Sequence, residues 1–176
     1  MRLSMSEQHI FLVGPMGVGK TSVGRQLAGL LHRPFVDVDA EIESRCGADI
    51  QWIFDMEGEA GFRKRETKVL SDIVTSSASS VIATGGGVVM TKENRKILQS
   101  SGQVIYLSVS KEQLYERMRR DKSRPLLQVE NREKVIDDLI ELRDPLYREI
   151  ADVVFAAEAG SAHRVAKVLL DELSKH

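Results

Sequence analysis

The chain is poor in the features that would commit it to a membrane, a disulfide scaffold or a polyanion. Cys46 is its single cysteine, so no internal disulfide can form, and a reducing compartment is the simplest setting. Net charge is nearly absent: 25 Lys and Arg against 26 Asp and Glu leave −1. That balance argues against a general nucleic-acid binder, although not against a local basic patch. No apolar run approaches the ~20 residues of a membrane span. The apolar stretch at the N-terminus is too short for a signal peptide and runs straight into a glycine-rich loop. A cytoplasmic protein with no membrane partner is expected, and its size and near-neutral charge suit a monomer. Repeats, low-complexity tracts and long linkers are missing too. One domain over 1–176 is therefore expected, large enough to bury roughly 70% of its unfolded surface.

Against these absences stands one strong motif. Gly14-Pro15-Met16-Gly17-Val18-Gly19-Lys20-Thr21 fits the phosphate-binding loop G-x-x-x-x-G-K-[ST]. The apolar run Ile10–Val13 before it reads as a buried strand. Val23, Leu27, Leu30 and Leu31 after it recur at helical spacing. Glycines let backbone N–H groups close around phosphate oxygens, and the helix N-terminus favours the anion. Lys20 can reach the β- and γ-phosphates, and the Thr21 hydroxyl can ligate Mg²⁺.

Short apolar runs at 9–13, 34–38, 80–84, 103–108 and 152–156 alternate with helical patterns. Ser110-Lys111-Glu112-Gln113 has capping-box form and should open a helix. Such alternation predicts an α/β fold with a parallel sheet covered on both faces. Ligands then bind beyond the carboxyl ends of the strands, where the remaining polar signals fall.

Asp37-Val38-Asp39 closes the second strand candidate. Strand alternation would turn both carboxylates to one side, one for the Mg²⁺ shell and one for a hydroxyl nucleophile. Alternatively the two acids open the next helix, whose dipole favours them. Thr84-Gly85-Gly86-Gly87 follows a buried run, and three glycines let a substrate approach the backbone closely. Neither 80–84 nor 103–108 ends in an aspartate, and no Asn-Lys-x-Asp motif occurs. These gaps disfavour a motor ATPase and a GTPase, and they leave Asp37 and Asp39 as the metal-side carboxylates.

Basic residues crowd 117–124. The helix there should break before Pro125, leaving Arg124 in a loop able to close over ATP and neutralise developing charge. Arg63 and Arg143 stand apart. Guanidinium forks suit a substrate carboxylate, although each taken singly also reads as a surface ion pair.

Together the residues resemble the bacterial shikimate kinases from the first strand to about Tyr147. The resemblance rests on the loop, Asp37-x-Asp39, Phe62-Arg63-x-x-Glu66, Gly85-Gly86-Gly87, Arg124-Pro125-Leu126-Leu127 and Arg143-x-Pro145-x-Tyr147, in that order. It implies a three-layer P-loop kinase fold with a five-stranded parallel sheet in order 2-3-1-4-5. A substrate-binding segment near 38–66 and a mobile lid near 118–130 go with it. ATP and Mg²⁺ are the implied cofactors, and the implied reaction is phosphorylation of shikimate, a step toward chorismate.

The resemblance further implies that Gly17, Val18, Gly19, Lys20, Thr21 and Ser22 cradle the phosphates. Thr21 and Asp37 would serve the metal. Asp39 would bind shikimate hydroxyls and orient or deprotonate the attacking one. Arg63 and Arg143 would grip the carboxylate, aided by Gly85, Gly86, Gly87 and by Glu66, with Phe54 and Phe62 walling the ring. Arg124 would touch the phosphates and Arg120 the adenine. After the last strand the chain has no arginine until Arg164, so backbone near Gly160 is left to meet the base. Two rivals are a gluconate kinase and a nucleotide-binding regulatory module. Gly85–Gly87 with Arg63 and Arg143 disfavours the first; Lys20, Asp39 and Arg124 together disfavour the second.

Overall fold

The computed structural model describes residues 8–76, 78–119, 131–157 and 160–175. Five strands form one sheet: β1 His9–Val13, β2 Phe35–Asp37, β3 Val81–Ala83, β4 Gly102–Ser108 and β5 Val153–Ala156. Their order is β2-β3-β1-β4-β5, with every neighbouring pair parallel. The expected sheet order is thus the one observed.

Alternation along β1 builds both faces of the core. Phe11 and Val13 point to one side, Ile10 and Leu12 to the other. On the Leu12 side lie α1 (Lys20–Leu31) and α7 (Ala162–Leu173), through Val23, Leu27, Ala166 and Leu169. On the Phe11 side lie α2 (Val38–Cys46), α3 (Ile50–Ser76), α4 (Lys92–Ser101) and α6 (Arg132–Ile150). All five residues of β1 are buried, as a strand covered on both faces must be.

Helix α5 (Lys111–Arg119) opens where Ser110 Oγ accepts from Gln113 N at 3.2 Å, which is the cap its sequence predicts. The crossover from β1 runs toward one edge of the sheet and that from β3 toward the other, so β1 flanks the topological switch point. The C-terminal ends of β1, β2 and β3 open there into a cavity. The segment expected near 38–66 corresponds to α2 and the first part of α3. Gly58 (φ 73, ψ 178) interrupts the helical path of α3. Residues 120–130 of the expected lid, with Arg120 and Arg124, lie outside the described residues. Among the described residues no helix is long and apolar enough to cross a membrane.

The phosphate loop is anchored on the sheet by Gly14. Its φ is 148°, and a Cβ there would stand 2.4 Å from the Leu107 carbonyl oxygen. Gly14→Ala therefore combines left-handed backbone strain with a collision against a central strand. We expect it to lose more than about 2 kcal/mol of stability in urea denaturation. A neutral result would contradict this packing of loop on strand.

Candidate active site

Gly14, Gly17 and Gly19 all hold positive φ, which turns the loop tightly into α1. Gly19 caps that helix with backbone alone, and no side chain covers its first-turn N–H groups. That end of α1 suits an anion. Lys20 is only 8% exposed. Its Nζ donates to the Gly14 and Pro15 carbonyls at 2.6 and 2.9 Å, so the ammonium is curled over the loop it would help to charge. Val18 packs its side chain into the core and can offer a ligand only its backbone. Thr21 Oγ1 donates to Asp37 Oδ2 at 2.7 Å.

The two acids open the next helix, as the sequence's alternative allows, and both also face the loop's cavity. Asp37 ends β2 and caps α2, its Oδ1 accepting from Ala40 N at 3.1 Å. Asp39 lies in the first turn of α2. The expected strand to 38 stops at Asp37, so helical geometry rather than strand alternation brings the carboxylates together. Both line one cavity of about 710 Å³, with Gly17, Gly19, Lys20, Thr21 and Ser22.

A second space of about 50 Å³ adjoins it, lined by Phe54, Phe62, Arg63, Glu66, Gly87 and Arg143. Asp39, Met16, Gly85 and Gly86 line both. Asp39 thus stands at the junction of a phosphate side and a cationic side. The Phe54 and Phe62 rings pack at 4.8 Å between centroids, and the Arg63 guanidinium lies 5.2 Å over Phe62.

Charge at this second space is unevenly compensated. Arg63 Nη1 donates to Glu66 Oε1 at 3.0 Å, and Nη2 to the exposed Glu59 at 3.3 Å. Arg143 is 4% exposed. Among the described residues it forms no ion pair with a carboxylate, and its Nε and that of Arg63 are buried without a hydrogen-bond partner. Burial lowers the Arg143 pKa, and the like charge of Arg63 acts in the same direction. A buried guanidinium without a carboxylate partner among the described residues, beside a second that is only partly buried, makes a site for an anion.

Helix α6 runs through Pro145. Arg143 and Tyr147, four residues apart, are both buried, and the Tyr147 hydroxyl donates to the Gly86 carbonyl. A Cβ on Gly87 would come within 2.1 Å of Arg63 Nη2, so the third glycine is what admits that guanidinium.

The family model for shikimate kinase matches residues 16–174. The chain belongs to the shikimate kinase family. It is 52% identical to the shikimate kinase of Pasteurella multocida (strain Pm70), with 94% of each chain covered. A solved shikimate kinase from Acinetobacter baumannii, in complex with shikimate, superposes with a TM-score of 0.93 at 48% identity, covering 97% of this chain and 95% of the other. A gluconokinase from Sinorhizobium meliloti, at 19% identity and TM-score 0.54, shares the fold alone. The chain is therefore a phosphotransferase that uses ATP, as its family implies.

Arg120 and Arg124 lie among residues not described. Gly160 (φ 157) is exposed ahead of α7 and lines neither space. One contact was not foreseen in sequence: Arg117 on α5 donates through Nη1 to the Val18 and Gly17 carbonyls at 2.7 and 3.2 Å. Its only signal was membership of the basic run, which does not say which arginine crosses the loop.

Glu66 is fully buried. Burial pushes its carboxyl up to about 7; Arg63 opposes the rise and the Asp39 charge adds to it. From an unfolded value near 4.5 up to about 7, only the folded state keeps this proton. Its contribution to stability is present at low pH and is lost as pH rises through that window. The melting temperature of wild type minus that of Glu66→Gln should fall between about pH 5 and pH 8. Thermal melts across that range check it; a pH-independent difference would contradict the assignment.

Proposed function

We propose that the protein transfers the γ-phosphoryl group of ATP to the 3-hydroxyl of shikimate, a step toward chorismate and the aromatic amino acids. The observation that carries this reading is the buried Arg143, without a carboxylate partner among the described residues, beside Arg63 in a space that shares Asp39 and the glycine turn with the phosphate-loop cavity. Shikimate is a carboxylate bearing a ring of hydroxyls. Its acid end meets the guanidiniums, its ring the Phe54–Phe62 wall, and its hydroxyls Asp39.

The residues also fit Mg²⁺. Thr21 and Asp37 present hard oxygens 2.7 Å apart at the edge of the larger cavity. Among the described residues there is no cluster of three His, Cys, Asp or Glu side chains. Such a site suits an ion that keeps most of its ligands as water and substrate phosphate. Thr21 would hold it directly and Asp37 through water; when bound, it supplies charge neutralisation between the phosphates.

The chain's own groups do the rest. Loop N–H groups from Gly17 to Ser22 bind phosphate oxygens, and Lys20 Nζ exchanges its two carbonyl partners for them. Asp39 accepts the hydrogen of the shikimate 3-hydroxyl. As the O–P bond forms, that proton passes to the carboxylate and ADP leaves with the electrons of the broken bond. Phosphoryl transfer draws mainly on such positioning and charge neutralisation. We assign Arg124 to the phosphates and Arg120 and Gly160 to the adenine side. Arg117 stiffens the loop under them.

An ADP-release assay offered shikimate, gluconate and nucleoside monophosphates tests this. Turnover with shikimate and not the others is expected; turnover with another alcohol alone would replace the substrate. Asp39→Asn should lower kcat by at least about 10²-fold with ATP affinity within twofold of wild type, measured by nucleotide titration. Arg143→Ala should raise the KM for shikimate roughly 10- to 100-fold and leave the KM for ATP unchanged.

A further inference from the structure

Asn94 lies in the first turn of α4 and is fully buried. A buried carboxamide must have its donors and acceptor met, and this one has. Its Nδ2 donates to Glu66 Oε1 at 3.3 Å and to the Val88 carbonyl at 3.1 Å. Its Oδ1 accepts from Thr67 Oγ1 at 2.7 Å. The Val88 carbonyl can only accept, and the one Thr67 hydroxyl hydrogen has Asn94 Oδ1 as its nearer acceptor, the Arg63 carbonyl standing at 3.0 Å. The amide therefore satisfies all three partners in a single orientation.

One of these partners lines the cationic space and another directly follows the glycine turn that does. Glu66 Oε1 is the atom that receives Arg63 Nη1. Val88 begins the short 3-10 turn that follows Gly85–Gly87, and Gly87 is the residue whose missing Cβ makes room for Arg63. Asn94 thus ties the carboxylate that aims the guanidinium to the turn that admits it. It lines neither the 710 Å³ cavity nor the 50 Å³ space, so it has no direct path to either ligand.

We infer that Asn94 is a positioning residue for the substrate-carboxylate clamp, acting through Glu66 on Arg63 and leaving the nucleotide side untouched. This rests on the reading that Arg63 grips the shikimate carboxylate. Without the amide, Glu66 loses its second partner and Arg63 loses the fixed acceptor that sets its rotamer. The consequence is a weaker hold on shikimate rather than slower chemistry once shikimate is seated.

Steady-state kinetics of wild type, Asn94→Ala, Glu66→Gln and the double variant test it, with thermal melts alongside. Asn94→Ala should raise the KM for shikimate roughly tenfold, the scale of one hydrogen bond to a charged group. Its kcat and its KM for ATP should stay within twofold. In the Glu66→Gln background the same substitution should add less than twofold, because the two residues act in series. Equal rises in both KM values, or a full tenfold addition in that background, would overturn the inference. Should Asn94→Ala fail to fold, Thr67→Val removes the hydroxyl that pins the amide and also reaches the Arg63 carbonyl at 3.0 Å. It should raise the KM for shikimate roughly two- to fivefold; an unchanged KM overturns the inference. Wild type inactive on shikimate would overturn the functional reading and this inference with it, whereas active wild type with an unaffected Asn94→Ala overturns the inference alone.

Discussion

Everything in this site depends on keeping two guanidinium groups out of water beside a glycine turn. Arg63 and Arg143 come from different helices, α3 and α6, and are brought together at the ends of the parallel strands. Removing such charges from solvent is costly unless a partner of opposite sign is supplied. Glu66 and the exposed Glu59 supply part of one for Arg63, but Glu66's own burial raises its pKa to about 7. Near neutral pH it is therefore a partial counter-charge. The remaining imbalance suits the carboxylate of a ligand, as proposed for shikimate.

The phosphate side is organised by a different constraint, close approach of backbone. Gly14 rests on β4, the loop turns through positive φ, and Lys20 is held against its own carbonyls. Arg117 adds a strap from α5. These contacts fix the loop before any nucleotide arrives, which lowers the entropy lost on binding. Asp39 belongs to both regions. A carboxylate at that junction can meet a hydroxyl from one side while the phosphoryl group is aimed from the other, and effective catalysis of this kind is largely a matter of such alignment.

Much of the fold could be read from the chain. The five strands fall within two residues of where their apolar runs place them, because a parallel sheet covered on both faces leaves an unambiguous hydrophobic signature. The phosphate loop, Arg63, Glu66, the three glycines and Arg143 converge as the shared motifs imply. Asp37 and Asp39 arrive for another reason than strand alternation: the strand ends one residue early and a helix turn carries Asp39 inward. Residues whose roles come from distant partners stayed hidden. Asn94 sits in an ordinary amphipathic helix, and nothing near it in sequence points to Glu66, 28 residues away. Arg117 is one of several arginines in a row, and only the path of α5 selects it.

The central claim is that the Arg63–Arg143 space binds an anion by charge. Calorimetric titration of the protein with shikimate and with its neutral methyl ester tests this most directly. The acid should bind at least roughly a hundredfold more tightly than the ester, as loss of a buried, charge-assisted contact demands. Equal affinities for the two would contradict the account.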